Sequence, residues 1–308
     1  MKIIILDEID LDQISRKKLE SLASIKIFDD INNDPRVILS RIADSEIVTA
    51  NYVDLTADII DKAENLKYII VPAVGYDWID VEAANRRNIK VLNCPTYNSQ
   101  AVAEHAIAMM FAINRRIVEA HNDILQGKFN PKVYVGREIS GKKMLCVGNG
   151  NIGSKILFLA KGLGMKTDFI DSKTSAVEID RKITEADYLV IAVPLTAATN
   201  NLIDKRRISL LKSSATIINV ARGLVVDQLA LYQSLSNNLI AGAALDVFPN
   251  DQTLTEASKQ IIQFAKLPNV VATPHIAFNT EEARNRLGEQ LLANIHSCLE
   301  QKPLNTVN

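Results

Sequence analysis

The sequence has little that would tie it to a membrane or a nucleic acid. Its 308 residues include 35 basic and 36 acidic side chains, giving a net charge of −1 without a long block of either sign. This balance argues against nucleic acids and anionic membranes as partners. No apolar stretch approaches the ~20 residues that span a bilayer. The run from Ile3 to Leu6 is too short for a signal peptide and is followed at once by acids.

Cysteine is also scarce. Cys94, Cys146 and Cys298 are odd in number, widely spaced and without a C-x-x-C pair. The first two stand in apolar, strand-like runs, which predicts buried free thiols rather than disulfides, and no metal site is expected. These absences favour a soluble, reduced, cytoplasmic protein.

Short β-branched runs alternate with helical patterns along most of the chain, and its length leaves room for about two domains. Such alternation predicts βαβ units around parallel sheets, here two doubly wound α/β domains. A helix from Ser99 to Leu125, free of proline and glycine, would bridge the domains, and a last helix would run from about Thr280 to Gln301. The expected strands are Lys2–Leu6, Ile25–Phe28, Ile47–Ala50, Tyr68–Val74 and Lys90–Asn93, then Lys143–Val147, Thr167–Asp171, Tyr188–Val193, Ala215–Val220, Ala241–Val247 and Val270–Thr273.

The most informative motif is Val-Gly-Asn-Gly-Asn-Ile-Gly, which begins at Val147. It follows an apolar run and opens onto a helical segment, as a dinucleotide-binding loop does. Gly148 would permit the tight turn, Gly150 would let the backbone approach a pyrophosphate, and Gly153 would let the helix pack on the strand. The N–H groups at the helix N-terminus would face the phosphates. The motif therefore predicts a nucleotide cofactor.

Asp171 indicates which nucleotide. It stands eighteen residues after Gly153, at the end of the next apolar run. A carboxylate there can accept both ribose hydroxyls of NAD and repels the 2′-phosphate of NADP. NAD is therefore the predicted cofactor, although Ser172 and Lys173 leave some use of NADP open.

Polar side chains follow the next three strands of the second domain, at the edge where such sheets bind ligands. Arg222 stands in Asn-Val-Ala-Arg-Gly, Asp246 in Ala-Leu-Asp-Val-Phe, and His275 in Thr-Pro-His. The guanidinium can bind a carboxylate through parallel bonds and polarise a carbonyl. Histidine can move a proton near neutral pH, and a paired carboxylate would fix its tautomer. This set predicts reduction of a 2-keto acid, with Arg222 orienting the substrate and His275 acting as acid/base.

Over nearly the whole chain the sequence resembles the D-isomer-specific 2-hydroxyacid dehydrogenase family. The resemblance implies two Rossmann-like domains with the active site in the cleft between them. It implies a substrate-binding domain of residues 1–98 plus 280–308 and an NAD-binding domain of residues 99–279. It also implies a homodimer to which part of the Ser99–Leu125 helix contributes. Besides the glycine loop, the motifs that carry it are Val71–Asp80, Asn93–Pro95, Ala101–His105, Val193–Thr196, Asn219–Asp227, Ala243–Phe248 and Thr273–Phe278.

The resemblance also implies individual roles. Arg222 matches the substrate-binding arginine and His275 the acid/base, while Asp251 stands where the family usually has a glutamate partner to that histidine. Val74 and Gly75 match the loop whose backbone N–H groups bind the substrate carboxylate. The cofactor-contacting positions are Gly148, Gly150, Asn151, Ile152, Gly153, Asp171, Val193, Pro194, Thr199, Val220, Ala221, Arg222, Asp246 and His275.

Asp251 departs from the family pattern. Aspartate is one methylene shorter than glutamate, so its loop must come closer for a bond of roughly 2.7–2.9 Å to the histidine. The proline that usually follows this acid is replaced by Gln252. Asp246 and Glu256 are therefore the alternative acids. His105 matches a family position that is associated with packing.

The segment after the third strand bears on the substrate. Tyr52 would face the cleft, and Asn51–Asp54 lacks the basic residue that relatives acting on phosphorylated substrates place near here. A small unphosphorylated 2-keto acid is favoured: glyoxylate, hydroxypyruvate or pyruvate. Pro95–Asn98 resembles glycerate-type enzymes, whereas Gly136–Glu138 and Ile276–Asn279 resemble D-lactate-type enzymes, so these hints conflict.

Other functions stay open within the same resemblance. One is activity of the phosphoglycerate dehydrogenase type. Another is a non-catalytic, NAD-sensing interaction protein like the family's corepressors, which keep both Arg222 and His275, although this chain has no basic patch. A third is oxidation of phosphite or formate, which would involve no keto acid.

Overall fold

The computed structural model describes residues 1–22, 24–249, 251 and 258–308. The described chain divides into two units, Met1–Asn98 with Asn279–Asn308, and Ser99–Phe278. Asn279, which the sequence assigned to the second domain, thus lies in the first unit. Among the described residues, no helix combines the length and the apolarity that crossing a bilayer requires.

The first unit is built on a five-stranded parallel sheet. Its strands are β1 (Ile3–Ile5), β2 (Ile25–Ile27), β3 (Ile47–Thr49), β4 (Tyr68–Ile70) and β5 (Lys90–Leu92), and its helices α1 (Gln13–Glu20), α2 (Pro35–Ile42), α3 (Ala57–Lys62) and α4 (Val81–Arg86) alternate with them. The strand order is β2-β1-β3-β4-β5. The order reverses between β1 and β3, and the carboxyl ends of such a pair form the usual ligand crevice of an open α/β sheet.

The central strands explain why the chain folds in this way. β1, β3 and β4 are buried along their whole length, and Ile and Val at most of their positions fit a sheet covered on both faces. Polar residues then start the helices: the carboxylates of Asp12, Asp34 and Asp80 cap α1, α2 and α4. β4 is shorter than the sequence predicted, because Val71–Val74 leaves the sheet as a loop.

The last helix, Glu281–Leu299, belongs to this first unit, as the resemblance implied. It packs against α1 at Gly288, where a Cβ would lie 2.1 Å from the Ser15 hydroxyl oxygen. Only glycine allows this approach. Asn294 anchors the helix further along, because its buried amide donates to the carbonyl oxygen of Asn93 at 2.9 Å.

The second unit is built on a six-stranded parallel sheet. Its elements are α5 (Ser99–Asn114), α6 (Ile117–Leu125), β6 (Lys143–Val147), α7 (Asn151–Gly162), β7 (Lys166–Ile170), α8 (Ala176–Glu185), β8 (Tyr188–Ile191), α9 (Lys205–Leu210), β9 (Thr216–Asn219), α10 (Gln228–Ser236), β10 (Gly242–Leu245), α11 (Lys259–Ala265) and β11 (Val270–Ala272), so Glu281–Leu299 is α12. The strand order is β11-β10-β9-β8-β6-β7. The order reverses between β6 and β8, which places the expected nucleotide crevice beside the glycine loop.

The prediction of one long helix from Ser99 to Leu125 is wrong. The segment forms α5 and α6 and lies wholly in the second unit. The helix breaks at Arg116, whose backbone is left-handed with φ +51°. Its guanidinium binds the Glu119 carboxylate at 2.5 and 2.7 Å and also donates to the carbonyl oxygen of Val133. These contacts stabilise a turn at a position where the sequence has neither glycine nor proline.

Cys94, Cys146 and Cys298 are all buried free thiols. This confirms the prediction for the first two and extends it to the third. Burial raises the pKa of each thiol to about 12, so all three stay protonated at neutral pH.

Candidate active site

The glycine loop of the second unit has the close approaches that its sequence predicted. Gly148 has φ +102°, and a Cβ there would lie 2.5 Å from the carbonyl oxygen of Ala192. At Gly153 a Cβ would lie 2.0 Å from the carbonyl oxygen of Gly148. The start of α7 can therefore pack this closely against the loop after β6 only because residue 153 has no side chain. A Cβ at Gly150 would meet nothing within 4 Å. Open space therefore lies before the first N–H groups of α7, where a pyrophosphate binds in loops of this kind.

The other cofactor candidates follow the carboxyl ends of neighbouring strands. Parallel strands end at one edge of the sheet, so the loops after β6, β8 and β9 lie side by side there. The loop after β8 is closed by Thr199, whose hydroxyl donates to the carbonyl oxygen of Pro194 at 2.6 Å. The candidates at this edge, besides the glycines, are Asn151, Ile152, Val193, Pro194, Thr199, Val220 and Ala221.

Asp171 lies directly after β7 and is half-buried. Its Oδ1 accepts the backbone N–H of Lys173 at 2.9 Å and the hydroxyl of Thr174 at 3.1 Å. The Lys173 N–H is the main cause that lowers the pKa of this carboxyl, and the Thr174 hydroxyl adds to it. An ionised carboxylate is therefore fixed at the end of β7. Together with the open space at Gly150, it fits the ribose and pyrophosphate of a dinucleotide.

Arg222 lies at the same edge, three residues after β9 ends. Asn219 brackets this segment: its Nδ2 donates to the carbonyl oxygen of Arg222 at 2.9 Å, and its Oδ1 accepts the N–H of Ala221 at 3.1 Å. A Cβ at the next residue, Gly223, would lie 2.3 Å from the backbone carbon of Phe248. The segment that carries Arg222 therefore packs closely against the loop after β10.

The structure brings Asp251 and His275 together. Oδ2 of Asp251 lies 3.2 Å from Nδ1 of His275 and accepts the backbone N–H of Phe248 at 2.9 Å. The carboxylate is 14% exposed and the imidazole 34% exposed. Burial pushes the pKa of Asp251 upward, but the bond to His275, the Phe248 N–H and the charge of Arg222 outweigh it and lower this pKa overall. An ionised carboxylate thus faces Nδ1 of a partly exposed histidine, within the electrostatic field of Arg222.

Asp246, one of the expected cofactor-contacting positions, directly follows β10. Its side chain is fully buried, and its oxygens accept the backbone N–H groups of Ile276 and Ala277, both at 2.9 Å, and the Thr273 hydroxyl at 2.6 Å. A buried carboxylate that is used in this way supports the loop around His275. Of the two alternative acids, Asp246 makes no side-chain bond to the His275 ring, and Glu256 lies outside the described residues, as does Gln252.

Tyr52, Val74 and Gly75 lie in the first unit, after the carboxyl ends of β3 and β4. All three are half-buried. The amide of Asn93 donates to the carbonyl oxygen of Val74 at 2.8 Å and so holds that loop. These residues stand at the edge of the first sheet where α/β sheets bind ligands.

Asp7 holds the Tyr52 segment, and the sequence did not single it out. It follows β1, its side chain is fully buried, and it accepts the backbone N–H of Asn51 at 2.9 Å and that of Tyr52. Burial raises the pKa of this carboxyl to about 6, against the pull of these N–H groups, that of Val53, and the charge of Arg41. Asp7 therefore binds a proton more tightly in the folded protein than in the unfolded chain.

This pKa makes the stability of the protein depend on Asp7 between about pH 4 and pH 6. The contribution of protonated Asp7 to the free energy of unfolding is fully present below the ordinary pKa of 3.8 and is lost as pH rises through about 6. A difference of roughly 2 pKa units corresponds to about 3 kcal/mol. The free energy of unfolding of the wild type, relative to that of Asp7→Asn, should therefore fall by up to about 3 kcal/mol between pH 4 and pH 8. Urea unfolding at both pH values measures this, with the exposed Asp44→Asn as control; a pH-independent difference would contradict it.

The fold and this site define a nucleotide-dependent oxidoreductase, and comparisons with known proteins agree. The model of the D-isomer-specific 2-hydroxyacid dehydrogenase NAD-binding domain matches residues 107–277. The chain is 34% identical to a glycerate dehydrogenase of Methylorubrum extorquens, over 89% of this chain and 88% of that protein. It belongs to the D-isomer-specific 2-hydroxyacid dehydrogenase family, and it is an NAD-dependent oxidoreductase.

Two solved structures show the same fold. An acyclic imino acid reductase in complex with NADPH and D-Arg has a TM-score of 0.91 and 32% identity, with both chains covered completely. A D-lactate dehydrogenase of Aquifex aeolicus in complex with NAD and lactic acid has a TM-score of 0.87 and 26% identity, with 98% of this chain and 96% of that chain covered.

Proposed function

We propose that the protein reduces a small unphosphorylated 2-keto acid, such as glyoxylate, hydroxypyruvate or pyruvate, to the D-2-hydroxy acid. The observation that carries the proposal is the 3.2 Å contact between the Asp251 carboxylate and Nδ1 of His275, which stands with Arg222 at the carboxyl edge of an NAD-binding sheet. The glycerate and lactate dehydrogenases to which the chain is similar support this substrate class.

Arg222, Asp251 and His275 have different tasks in this reaction. Arg222 binds the substrate carboxylate and polarises the keto oxygen, for which a planar fork of donors is suited. NADH, when bound, supplies the hydride that reduces C2. The Asp251 carboxylate accepts the Nδ1–H of His275 and stabilises the protonated ring, whose Nε2–H donates its proton to the forming alkoxide. The keto acid thus gains one hydride and one proton, and the histidine is protonated again from solvent.

Asp251→Asn tests the carboxylate partner. Its charge stabilises protonated His275, and a hydrogen bond between charged groups contributes about 1.5–3 kcal/mol. We expect kcat for keto-acid reduction to fall roughly 10–100-fold and the alkaline limb of the pH–rate profile to move to lower pH. Asp251→Glu, which keeps the charge, should retain most of the activity. An unchanged profile in Asp251→Asn would remove Asp251 from the mechanism.

Tyr52 is proposed to limit substrate size from the first unit, and the backbone N–H groups of Val74 and Gly75 to bind the substrate carboxylate. Asp7 holds the backbone of Tyr52, so its ring starts from a defined position. Tyr52→Leu should shift the preference in kcat/KM toward bulkier 2-keto acids. The order of kcat/KM across a series from glyoxylate to branched keto acids measures this shift. If the order is the same in both proteins, Tyr52 does not line the pocket.

NAD is proposed as the preferred form of the cofactor. The ionised carboxylate of Asp171 would accept the ribose hydroxyls and repel a 2′-phosphate. Lys173 follows it and is exposed, so the preference for NAD is modest. The NADPH complex of the imino acid reductase is consistent with a modest preference.

A homodimer is proposed from an exposed apolar segment of the second unit. α6 buries none of its residues, and Leu125, Phe129 and Val135 are 73%, 88% and 81% exposed. Ile117, Val118, Ile124 and Val133 add to the same segment. Exposed apolar side chains concentrated in one segment favour an interaction site, and we assign it to a second copy of the chain. Light scattering should give twice the chain mass of 34.0 kDa; a monomer at every concentration would contradict the assignment.

Imine reduction is a second candidate. The complete coverage and TM-score of 0.91 against the imino acid reductase favour it specifically. The same hydride and proton transfer would act on a C=N bond that forms when a 2-keto acid condenses with an amine. The enzyme should then oxidise NADH or NADPH faster with a keto acid and an added amine than with the keto acid alone.

One assay separates these functions. Oxidation of NADH and of NADPH is followed with glyoxylate, hydroxypyruvate, pyruvate and a phosphorylated keto acid, each with and without an amine. We expect the fastest reaction with NADH and an unphosphorylated keto acid alone. Preference for the phosphorylated acid would indicate the phosphoglycerate type. Tight NADH binding without turnover of any substrate would refute the proposal and favour a sensor of the corepressor type.

A further inference from the structure

His275 sits on a backbone that needs external support. Its φ is +53°, a left-handed conformation that is uncommon for residues with a Cβ and costs free energy there. Its N–H donates to the main-chain oxygen of Asp246 at 2.8 Å. The next two N–H groups, of Ile276 and Ala277, donate to the Asp246 carboxylate. Asp246 therefore holds three consecutive N–H groups of this loop.

The Asp246 carboxylate in turn needs compensation for its burial. It is completely buried, which pushes its pKa upward, yet hydrogen bonds from His105, Thr273, Ala277 and Ile276 outweigh burial and lower this pKa. Among the described residues, no lysine or arginine forms an ion pair with it. A buried charge is stable only when donors surround it.

His105 of α5 is the one side chain in this set that can carry a positive charge. Its Nε2 lies 3.2 Å from the Thr273 hydroxyl and 3.4 Å from Oδ1 of Asp246. The Thr273 hydroxyl uses its proton for Asp246 at 2.6 Å, so it accepts from His105. Nε2 of His105 therefore carries a hydrogen.

We propose that His105 is a positioning residue for catalysis: its Nε2–H, shared by Thr273 and Asp246, locks the loop that presents His275. His105 does not touch the reacting atoms. It acts through Asp246, and this role replaces the packing role that the resemblance implied. The inference rests on the proposed function, in which His275 is the acid/base.

Three substitutions at position 105 separate a hydrogen-bond role from packing. In His105→Gln the amide N–H can take the place of Nε2–H, in His105→Asn it is too short to do so, and in His105→Leu there is no donor. We expect kcat for keto-acid reduction to fall about tenfold in the Leu and Asn variants, since small displacements of a reacting group are costly. The Gln variant should recover most of the rate, and KM for NADH should stay within about twofold in all three.

A second measurement does not depend on activity. The chain has only four histidines, so their ring Cε1–H signals can be assigned by substitution in NMR spectra of the protein without cofactor. We expect the His275 signal to shift or broaden in the Leu and Asn variants and to keep its wild-type position in the Gln variant. His296→Leu, at an exposed position of α12, serves as the control.

Wild-type kcat and an unshifted His275 signal in His105→Leu would overturn the proposal. Equal loss of rate in all three variants, without recovery by glutamine, would also overturn it and leave His105 as a packing residue. If the wild type reduces no keto acid, the proposed function fails, while the His275 signal still decides whether His105 holds the loop.

Discussion

Replacing His275 with glutamine is expected to lower kcat for keto-acid reduction by about 10²–10⁴-fold. Glutamine can keep a hydrogen bond to Asp251, but it cannot deliver a proton to the forming alkoxide. General acid catalysis by a positioned side chain contributes a factor of this size. His275 is 34% exposed, so its loss should affect the fold little. Steady-state kinetics with NADH and the best keto acid measure the effect.

The control for this experiment is His296→Gln, on the exposed side of α12 in the first unit. It should keep wild-type kcat. Calorimetric titration with NADH should show that the His275 variant still binds the cofactor. A kcat within tenfold of the wild type would mean that another group supplies the proton, and the role assigned to His275 would have to be given up.

Replacing Arg222 with glutamine is expected to lower kcat/KM for the keto acid by about 10²–10³-fold. Removing one partner of a buried, hydrogen-bonded charge pair costs about 2–5 kcal/mol. The loss should appear in kcat/KM for the keto acid, because the guanidinium would bind the carboxylate and polarise the carbonyl. Kinetics at saturating NADH with varied keto acid measure it.

Arg222→Lys is the matched variant, because it keeps the charge and loses the planar fork. It should recover only part of kcat/KM. The charge of Arg222 also helps to lower the pKa of the Asp251 carboxyl. This contribution should be lost in the glutamine variant and kept in the lysine variant. A lysine variant with wild-type kcat/KM would show that charge alone is needed. A glutamine variant with wild-type kcat/KM would exclude Arg222 from substrate binding.

The sheets could be predicted from the sequence because their strands are buried on both faces. Continuous apolar runs such as Tyr188–Ile191 and Ile47–Thr49 are stable only where they are buried, as in the middle of a covered sheet. The expected runs differ from the observed strands by only a few residues at either end. The glycine loop could be predicted for a related reason. Only glycine tolerates the close contacts at positions 148 and 153, so the spacing of the glycines in the sequence indicates where the backbone packs closely.

The break between α5 and α6 could not be predicted. Contacts of the Arg116 guanidinium with Glu119 and with the carbonyl oxygen of Val133 stabilise its left-handed conformation, and neither glycine nor proline marks the position. The hydrogen-bond network of His105 was missed for a similar reason. His105 and Asp246 are 141 positions apart in the chain (246 − 105), and only the packing of α5 near the ends of β10 and β11 brings them within 3.4 Å. A contact of that kind leaves no local pattern.

In the proposed reaction, the protein delivers hydride from NADH to one face of a 2-keto acid that Arg222 holds and His275 protonates. The chirality of the product tests it most directly. The keto acid with the highest kcat/KM is reduced with NADH, and the hydroxy acid is resolved on a chiral column. We expect the D-isomer alone, formed in equal amount to the NADH consumed. An L-isomer, a racemate, or NADH oxidation without a hydroxy acid would contradict the account.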